Sequence, residues 1–142
     1  MTDPAAAGAT ALREPDPSLV QYTHWMYALH ALSAFIGIVG SWAIVTAFVF
    51  GVPSIIAVVM NYARRDDARG TWLESHSAWQ LSTFWRAMLW MVVLGVLGAL
   101  FAITLIGIPI AILLYLGLIP LGLWAIYRIV RGWLKLRDGR EP

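Results

Sequence analysis

Two long stretches of the chain contain no charged residue, residues 17–63 and residues 87–127. They are 47 and 41 residues long, whereas one membrane-spanning helix needs about 20 apolar residues. A single helix over residues 17–63 would be about 70 Å long, more than twice the roughly 30 Å of the hydrocarbon core. Each stretch is therefore predicted to turn once and to cross a membrane twice.

Glycine, serine and proline mark the predicted turns. Gly40 and Ser41 divide the first stretch, because glycine tolerates turn conformations and serine can satisfy a freed backbone group. The sequence Gly107-Ile108-Pro109 divides the second, since proline lacks a backbone donor and restricts the residue before it. The predicted fold is all-α, a membrane-embedded four-helix bundle of two hairpins with spans near 22–39, 42–63, 81–106 and 109–130.

The segments outside these spans are short. Residues 1–18 hold three prolines and three acids beside Arg13 alone, a composition typical of a disordered tail and unlike a basic signal peptide. Residues 19–135 form the predicted transmembrane domain, within which residues 64–80 form a cytoplasmic interfacial segment. A short amphipathic helix is expected there before the third span, and residues 136–142 form the C-terminal tail.

The basic residues predict the orientation of the bundle. Both predicted hairpin turns are uncharged, whereas the central loop and the C-terminal segment carry most of the arginines and lysines, at positions 64, 65, 69, 128, 131, 135, 137 and 140. Positive charge marks the cytoplasmic side of a membrane protein. Both termini and the central loop are therefore predicted to be cytoplasmic.

Composition narrows the function classes. The chain is 60% hydrophobic and 13% charged, against roughly 45–50% and about 25% in soluble domains. It contains no cysteine, which excludes disulfides, thiolate nucleophiles and iron–sulfur clusters. The net charge of +2 comes from residues that flank apolar stretches, so it does not indicate a nucleic-acid partner. No phosphate loop, zinc motif or nucleophile elbow is present, and we expect neither an enzyme nor a bound cofactor.

Small and polar residues within the spans are candidates for contacts between helices. His30, Ser33 and Gly37 follow one face of the first span, and Gly95 and Gly98 follow one face of the third. An ionisable residue inside a membrane invites a functional interpretation, here a haem or quinone site at His30. The alternative is a neutral buried histidine bonded to a neighbouring helix. Prolines at 53 and 120 would distort the second and fourth spans, either to line a cavity or to improve packing.

Residues 70–90 contain four of the eight tryptophans. Tryptophan favours the membrane interface, so this segment is predicted to anchor the third span at a fixed depth. It also carries directional polar groups that anchoring alone does not require: Glu74, His76, Gln80 and Arg86. A docking surface for a partner is therefore the alternative.

The spacing from Gly40 to Pro53 and Arg64 recurs from Gly107 to Pro120 and Arg131. The two hairpins could thus be a duplicated pair, as in membrane proteins built from parallel repeats. The competing interpretation is that any hairpin needs a turn, a kink and a basic stop.

Several of these motifs resemble a family of small bacterial multi-span membrane proteins of unknown function, themselves distantly similar to the protein-import channel of the chloroplast inner envelope. The resemblance rests on His30 with Ser33, Gly51 with Pro53, the Glu-Ser-His…Gln…Thr-Phe stretch over 74–84, the Gly-Ile-Pro turn at 107–109 and the Tyr-Arg-Ile-Val-Arg-Gly-Trp run at 127–133. It implies four helices in the bacterial inner membrane and no known reaction.

Three functions follow as hypotheses. The first is a non-enzymatic protein of the bilayer that associates with itself or with another membrane protein, as an accessory or assembly subunit. The second is a component of transport or protein translocation. The third is a redox subunit that binds haem or quinone through His30.

Overall fold

The computed structural model describes residues 12–39, 44–104 and 107–142, and it confirms the all-α class. No strand occurs in these ranges apart from an isolated bridge between Arg13 and Thr71. The helices are α1 Pro17–Val39, α2 Ile44–Ala63, α3 Arg65–Ala68, α4 Leu73–Ala102, α5 Ile108–Leu116 and α6 Leu118–Arg137. The predicted turn at Gly40 and Ser41 lies outside the described residues.

The start of α1 differs from the predicted tail over residues 1–18. Pro17 opens the helix, and the preceding Asp16 accepts the backbone N–H of Ser18 at 2.7 Å. The pKa of Asp16 lies below its ordinary value because the side chain and backbone of Ser18 donate hydrogen bonds to its carboxylate. An Asp-Pro pair begins helices well, since the acid caps free N–H groups and proline needs no donor there. The backbone N–H of Arg13 also bonds the carbonyl of Gly70 at 2.9 Å, so ordered structure begins before residue 18.

Helix α4 combines two elements that the sequence predicted separately. It runs without a break from Leu73, within the predicted interfacial segment, to Ala102, within the predicted third span. The hydroxyl of Thr71 accepts the N–H of Leu73 at 3.3 Å and thereby caps the helix start. No glycine or proline occurs between residues 73 and 94, so nothing in the sequence ends the helix at residue 80.

The fourth predicted span is divided in two, because α5 ends at Leu116 and α6 starts at Leu118. Pro120 explains the division, since a proline ring clashes with the carbonyl four residues earlier, here that of Leu116. The equivalent Pro53 lies inside the continuous α2. The two prolines therefore have different effects on their helices.

The helices pair as two hairpins that meet along part of their length. Helix α1 contacts α2, and α4 contacts both α5 and α6. The hairpins join mainly through α1 with α6 and through α2 with α4. Tyr27 of α1 lies so close to Gly132 of α6 that a Cβ atom on the glycine would lie 2.9 Å from the tyrosine ring. That glycine is what allows the two helices to approach here.

The two ends of the bundle are built from different residues. We call the end formed by the start of α1, α3, the start of α4 and the end of α6 the charged end. Its apolar core consists of five buried residues: Leu19, Tyr27, Ala68, Leu73 and Leu136. We call the region around the end of α4 and the start of α5 the turn end.

Among the residues that the structure describes, two stretches of 30 residues, Leu73–Ala102 and Ile108–Arg137, are long and apolar enough to cross a membrane. A shorter apolar stretch covers Gly51–Ala63. Large apolar side chains on both long stretches are exposed, among them Leu89 at 61% and Leu113 at 68%. The fold thus presents apolar surface outward along its longest helices.

Candidate functional site

Polar side chains are buried together where α1, α2 and α4 meet. We call this group the polar cluster: Tyr27, Asn61, His76, Ser77 and Gln80. Tyr27 lies on α1, Asn61 on α2 and the others on α4. His76 is 0% exposed and Gln80 3% exposed, so water does not reach their polar groups. Buried polar groups must find partners within the protein.

A chain of hydrogen bonds links three parts of the molecule through His76. Its Nε2 lies 2.7 Å from the carbonyl oxygen of Arg140, and its Nδ1 lies 2.9 Å from the hydroxyl of Tyr27. A carbonyl oxygen can only accept, so Nε2 must carry the hydrogen. In the neutral ring Nδ1 then accepts from the Tyr27 hydroxyl. The imidazole ring therefore joins α1, α4 and the C-terminal segment in one defined tautomer.

The end of α6 positions the Arg140 carbonyl for this bond. Gly139 has a φ of +65°, and its N–H bonds the carbonyl of Leu136. The N–H of Arg140 bonds the carbonyl of Lys135 at 2.9 Å. These two bonds with a left-handed glycine form a Schellman motif, which ends the helix and reverses the chain. The reversal brings the backbone of Arg140 to His76.

Asn61 connects α2 to α4. Its Nδ2 donates to the carbonyl of Ser77 at 3.3 Å and to Oε1 of Gln80 at 3.4 Å. Its Oδ1 is buried and has no hydrogen-bond partner among the residues that the structure describes. The amide thus fixes the two helices against each other and leaves one acceptor unused.

Each of the three histidines bonds a side chain of another helix. His24 accepts the indole N–H of Trp133 at 3.0 Å, which ties α1 to α6. His30 lies 3.1 Å from the hydroxyl of Ser54 on α2 and contacts the ring of Phe84 on α4. Within the described ranges, no three histidine, aspartate or glutamate side chains group closely enough to hold a metal ion.

Two arginines lie side by side between α4 and α6, and we call them the arginine pair: Arg86 and Arg128. Both donate to the hydroxyl oxygen of Ser82, at 3.0 Å and 3.2 Å respectively. Arg128 also donates to the hydroxyl of Thr83 at 2.7 Å and lies 3.6 Å above the ring of Trp79. The ion pairs found in the described part of the chain involve neither arginine.

The predicted interaction residues do not form one site. His76 and Gln80 belong to the polar cluster, whereas Arg86 belongs to the arginine pair. Glu74 is exposed and accepts the N–H of Gly70 at 2.9 Å, a bond that helps to start α4. The remaining ones lie elsewhere: His30 between α1 and α2, Ser33 half-buried and Gly37 exposed on α1, and Gly95 and Gly98 on α4.

The two predicted glycines of α4 have different surroundings. An added Cβ at Gly98 would lie 3.0 Å from the ring of Tyr115 on α5. An added Cβ at Gly95 would meet nothing within 4 Å. Of these two glycines, Gly98 is therefore the one that permits a close contact between α4 and α5.

Tyr27, Asn61, Arg128 and Gly132 take part in these contacts but were not among the predicted residues. Asn61 had a signal in the sequence, because it is a strongly polar amide in an otherwise apolar helix. Gly132 belonged to the Tyr-Arg-Ile-Val-Arg-Gly-Trp run, but nothing in the sequence indicated its contact with Tyr27, which lies 105 positions away in the chain.

No family model, curated protein sequence or solved structure matches this chain. The resemblance to small bacterial multi-span proteins therefore stays a prediction from the motifs.

Proposed function

We propose that this protein is a four-span protein of the bacterial inner membrane that acts by association, with itself or with another membrane protein, rather than by catalysis. The observation that carries the proposal is the exposure of large apolar side chains along the longest helices, beside polar groups that are buried. Polar groups such as His76 and Asn61 are buried, whereas the large apolar side chains of α4, α5 and α6 face outward. Such an arrangement is unfavourable in water, where about 25 cal/mol is lost for each Å² of exposed apolar surface. In a bilayer it carries no such cost.

A stripe on α4 supports association as the mode of action. Trp85, Leu89, Val92 and Val96 are all at least half exposed and follow each other at steps of four, three and four residues. This spacing places them on one face of the helix. In a bilayer such a face meets either lipid tails or a partner helix, and we propose that this stripe meets a partner helix.

The charges support an orientation with both termini in the cytoplasm. The basic residues of α3 and α6 lie at the charged end with the start of α1, whereas the turn end around Gly107 carries none among the described residues. The positive-inside rule then places the charged end in the cytoplasm.

The absence of cysteine makes this orientation directly testable. We use two variants, Asp67→Cys and Thr104→Cys. In each of them the new cysteine is the only thiol in the protein. With a membrane-impermeant maleimide on intact spheroplasts, we expect Thr104→Cys to be labelled and Asp67→Cys to be labelled only after lysis. The reverse pattern contradicts the orientation, and labelling of both in intact spheroplasts contradicts a four-span arrangement.

The association itself is tested by crosslinking in native membranes. A photoreactive residue at Val92, within the stripe, is expected to capture a protein neighbour at fixed stoichiometry. The matched control carries the same residue at Leu123, which is 62% exposed on α6 and lies outside the stripe. Extraction of the protein by alkaline carbonate rules out membrane embedding. Recovery of an uncrosslinked monomer from both positions rules out association.

A further inference from the structure

An apolar groove runs between α4 and the junction of α5 with α6. It has a volume of about 440 Å³ and is lined by Arg86, Trp90, Leu94, Gly117, Leu121 and Trp124. Gly117 lies between α5 and α6, and a Cβ atom there would lie 3.6 Å from the side chain of Leu94 on α4. The groove is polar at one end only, where Arg86 lines it, and Arg128 lies beside Arg86 just outside the lining.

The polar end of the groove concentrates positive charge. Because Arg86 and Arg128 donate to one oxygen of Ser82, their guanidinium groups lie within a few ångströms of each other. Both also lie over the ring of Trp124, at 5.7 Å and 5.4 Å from its centre. No described carboxylate neutralises them. Two adjacent guanidinium groups favour an anion that can accept several hydrogen bonds, and phosphate fits this geometry well.

The rest of the groove suits an apolar chain. Leu94 lies eight residues after Arg86 on α4, a rise of about 12 Å along the helix. Leu121 and Gly117 face it from the other side of the groove. A ligand that fills the groove therefore has an anionic head at the arginine pair and an apolar tail directed toward the turn end.

We propose that this groove binds an anionic phospholipid of the cytoplasmic leaflet, with its phosphate on Arg86 and Arg128 and one acyl chain along Leu94 and Leu121. The inference rests on the proposed function, because only a membrane-embedded protein in the stated orientation presents the arginine pair at the depth of lipid headgroups. Basic pockets between helices on the cytoplasmic side have this lipid-binding character.

The test is native mass spectrometry of the full chain in mild detergent. The protein is titrated with dioleoyl phosphatidylglycerol, with dioleoyl phosphatidylcholine, and with inorganic phosphate. We expect one phosphatidylglycerol to be retained at about tenfold lower concentration than phosphatidylcholine, since both lipids carry the phosphate but the arginine pair repels the quaternary ammonium group of choline. Inorganic phosphate is not expected to displace it. Equal retention of the two lipids overturns the proposal, and displacement by phosphate shows an anion site that does not use the groove.

Matched variants separate the headgroup from the chain. Arg86→Gln is expected to abolish the preference for phosphatidylglycerol, whereas Arg65→Gln on α3 should keep it. Leu121→Trp fills the groove and should reduce retention of both lipids, while Leu113→Trp on the exposed face of α5 should not. The proposal is overturned if Arg86→Gln prefers phosphatidylglycerol as strongly as Arg65→Gln does. It is also overturned if Leu121→Trp retains as much lipid as Leu113→Trp. A protein that resists carbonate extraction yet shows no lipid preference disproves this inference and leaves the proposed function intact.

Discussion

The two ends of the bundle hold their helices together by different means. At the charged end, hydrogen bonds between buried side chains join the hairpins, as Tyr27 with His76 and Asn61 with Gln80 illustrate. At the turn end, α4 and α5 meet where Gly98 admits the ring of Tyr115, and large apolar side chains face outward. In the proposed bilayer, apolar surface gives no preference for one helix over another. Hydrogen bonds and complementary shape then determine which helix faces of the two hairpins pack together. The hydrogen bonds between the hairpins are concentrated at the charged end.

The largest effect is expected where shape and hydrogen bonding coincide, at Gly132. In Gly132→Val the new Cβ would overlap the Tyr27 ring, which is 1% exposed and has little room to move. We expect a loss of about 3 kcal/mol in the free energy of unfolding, the upper end of the range for overpacking. Thermal unfolding in detergent measures it.

Gly122→Val on the same helix is the control, because nothing lies within 4 Å of the added Cβ there. Equal melting temperatures for the two variants would mean that α1 and α6 do not approach at Gly132.

A second pair of variants probes shape at the turn end. Gly98→Leu is expected to lower stability by about 2 kcal/mol, because the new side chain must displace the Tyr115 ring. Tyr115 is 45% exposed and can move more easily than Tyr27, so the loss is smaller than at Gly132. Gly95→Leu adds the same side chain to the same helix where nothing lies nearby. A larger loss for Gly95→Leu in the same unfolding assay would reverse the assignment of the contact face.

Much of the helical organisation could be predicted from local features of the sequence. Pro17 after Asp16 and the Gly-Ile-Pro turn at 107–109 act over a few residues, and the structure places helix ends at or near them. The long α4 was predicted as two elements because tryptophans and polar residues resemble an interfacial segment. Backbone continuity depends instead on the absence of glycine and proline, which was visible in the same residues.

The polar cluster could be predicted only in part. His76 and Gln80 stand out as polar groups beside an apolar stretch, so their importance follows from composition. Their partners do not, because Tyr27 and Arg140 lie 49 and 64 positions from His76. Such pairs depend on how the two hairpins pack against each other. Contacts between residues so far apart in the chain cannot be predicted from a single sequence. Helical spacing placed Gly95 and Gly98 on the same face of the third span. It could not show that only Gly98 contacts a neighbouring helix, because that contact also depends on how the helices pack.

A smaller effect is expected from Asn61→Leu, which tests whether hydrogen bonding at the charged end stabilises the pairing of α2 with α4. The substitution keeps the number of side-chain heavy atoms and their branching, and it removes the donor to Ser77 and Gln80. We expect a loss of about 1 kcal/mol, within the measured range for hydrogen bonds between membrane helices. Unfolding in detergent is compared with Val59→Leu, an exposed position on the same helix. Asn61→Leu as stable as that control would show that packing alone holds these helices.

The smallest effect is expected at His30, where one hydrogen bond joins α1 to α2. Loss of the bond in His30→Leu should cost about 0.6 kcal/mol, the average for such bonds between membrane helices. A double-mutant cycle with Ser54→Ala isolates the bond, because the second substitution should add little once the first has removed it. Unfolding in detergent gives the four free energies. Additive losses would show that His30 and Ser54 are not coupled. If His30→Leu instead removed a Soret band or a co-purifying quinone from the wild-type protein, the histidine would serve a redox ligand and not the pairing of the two helices.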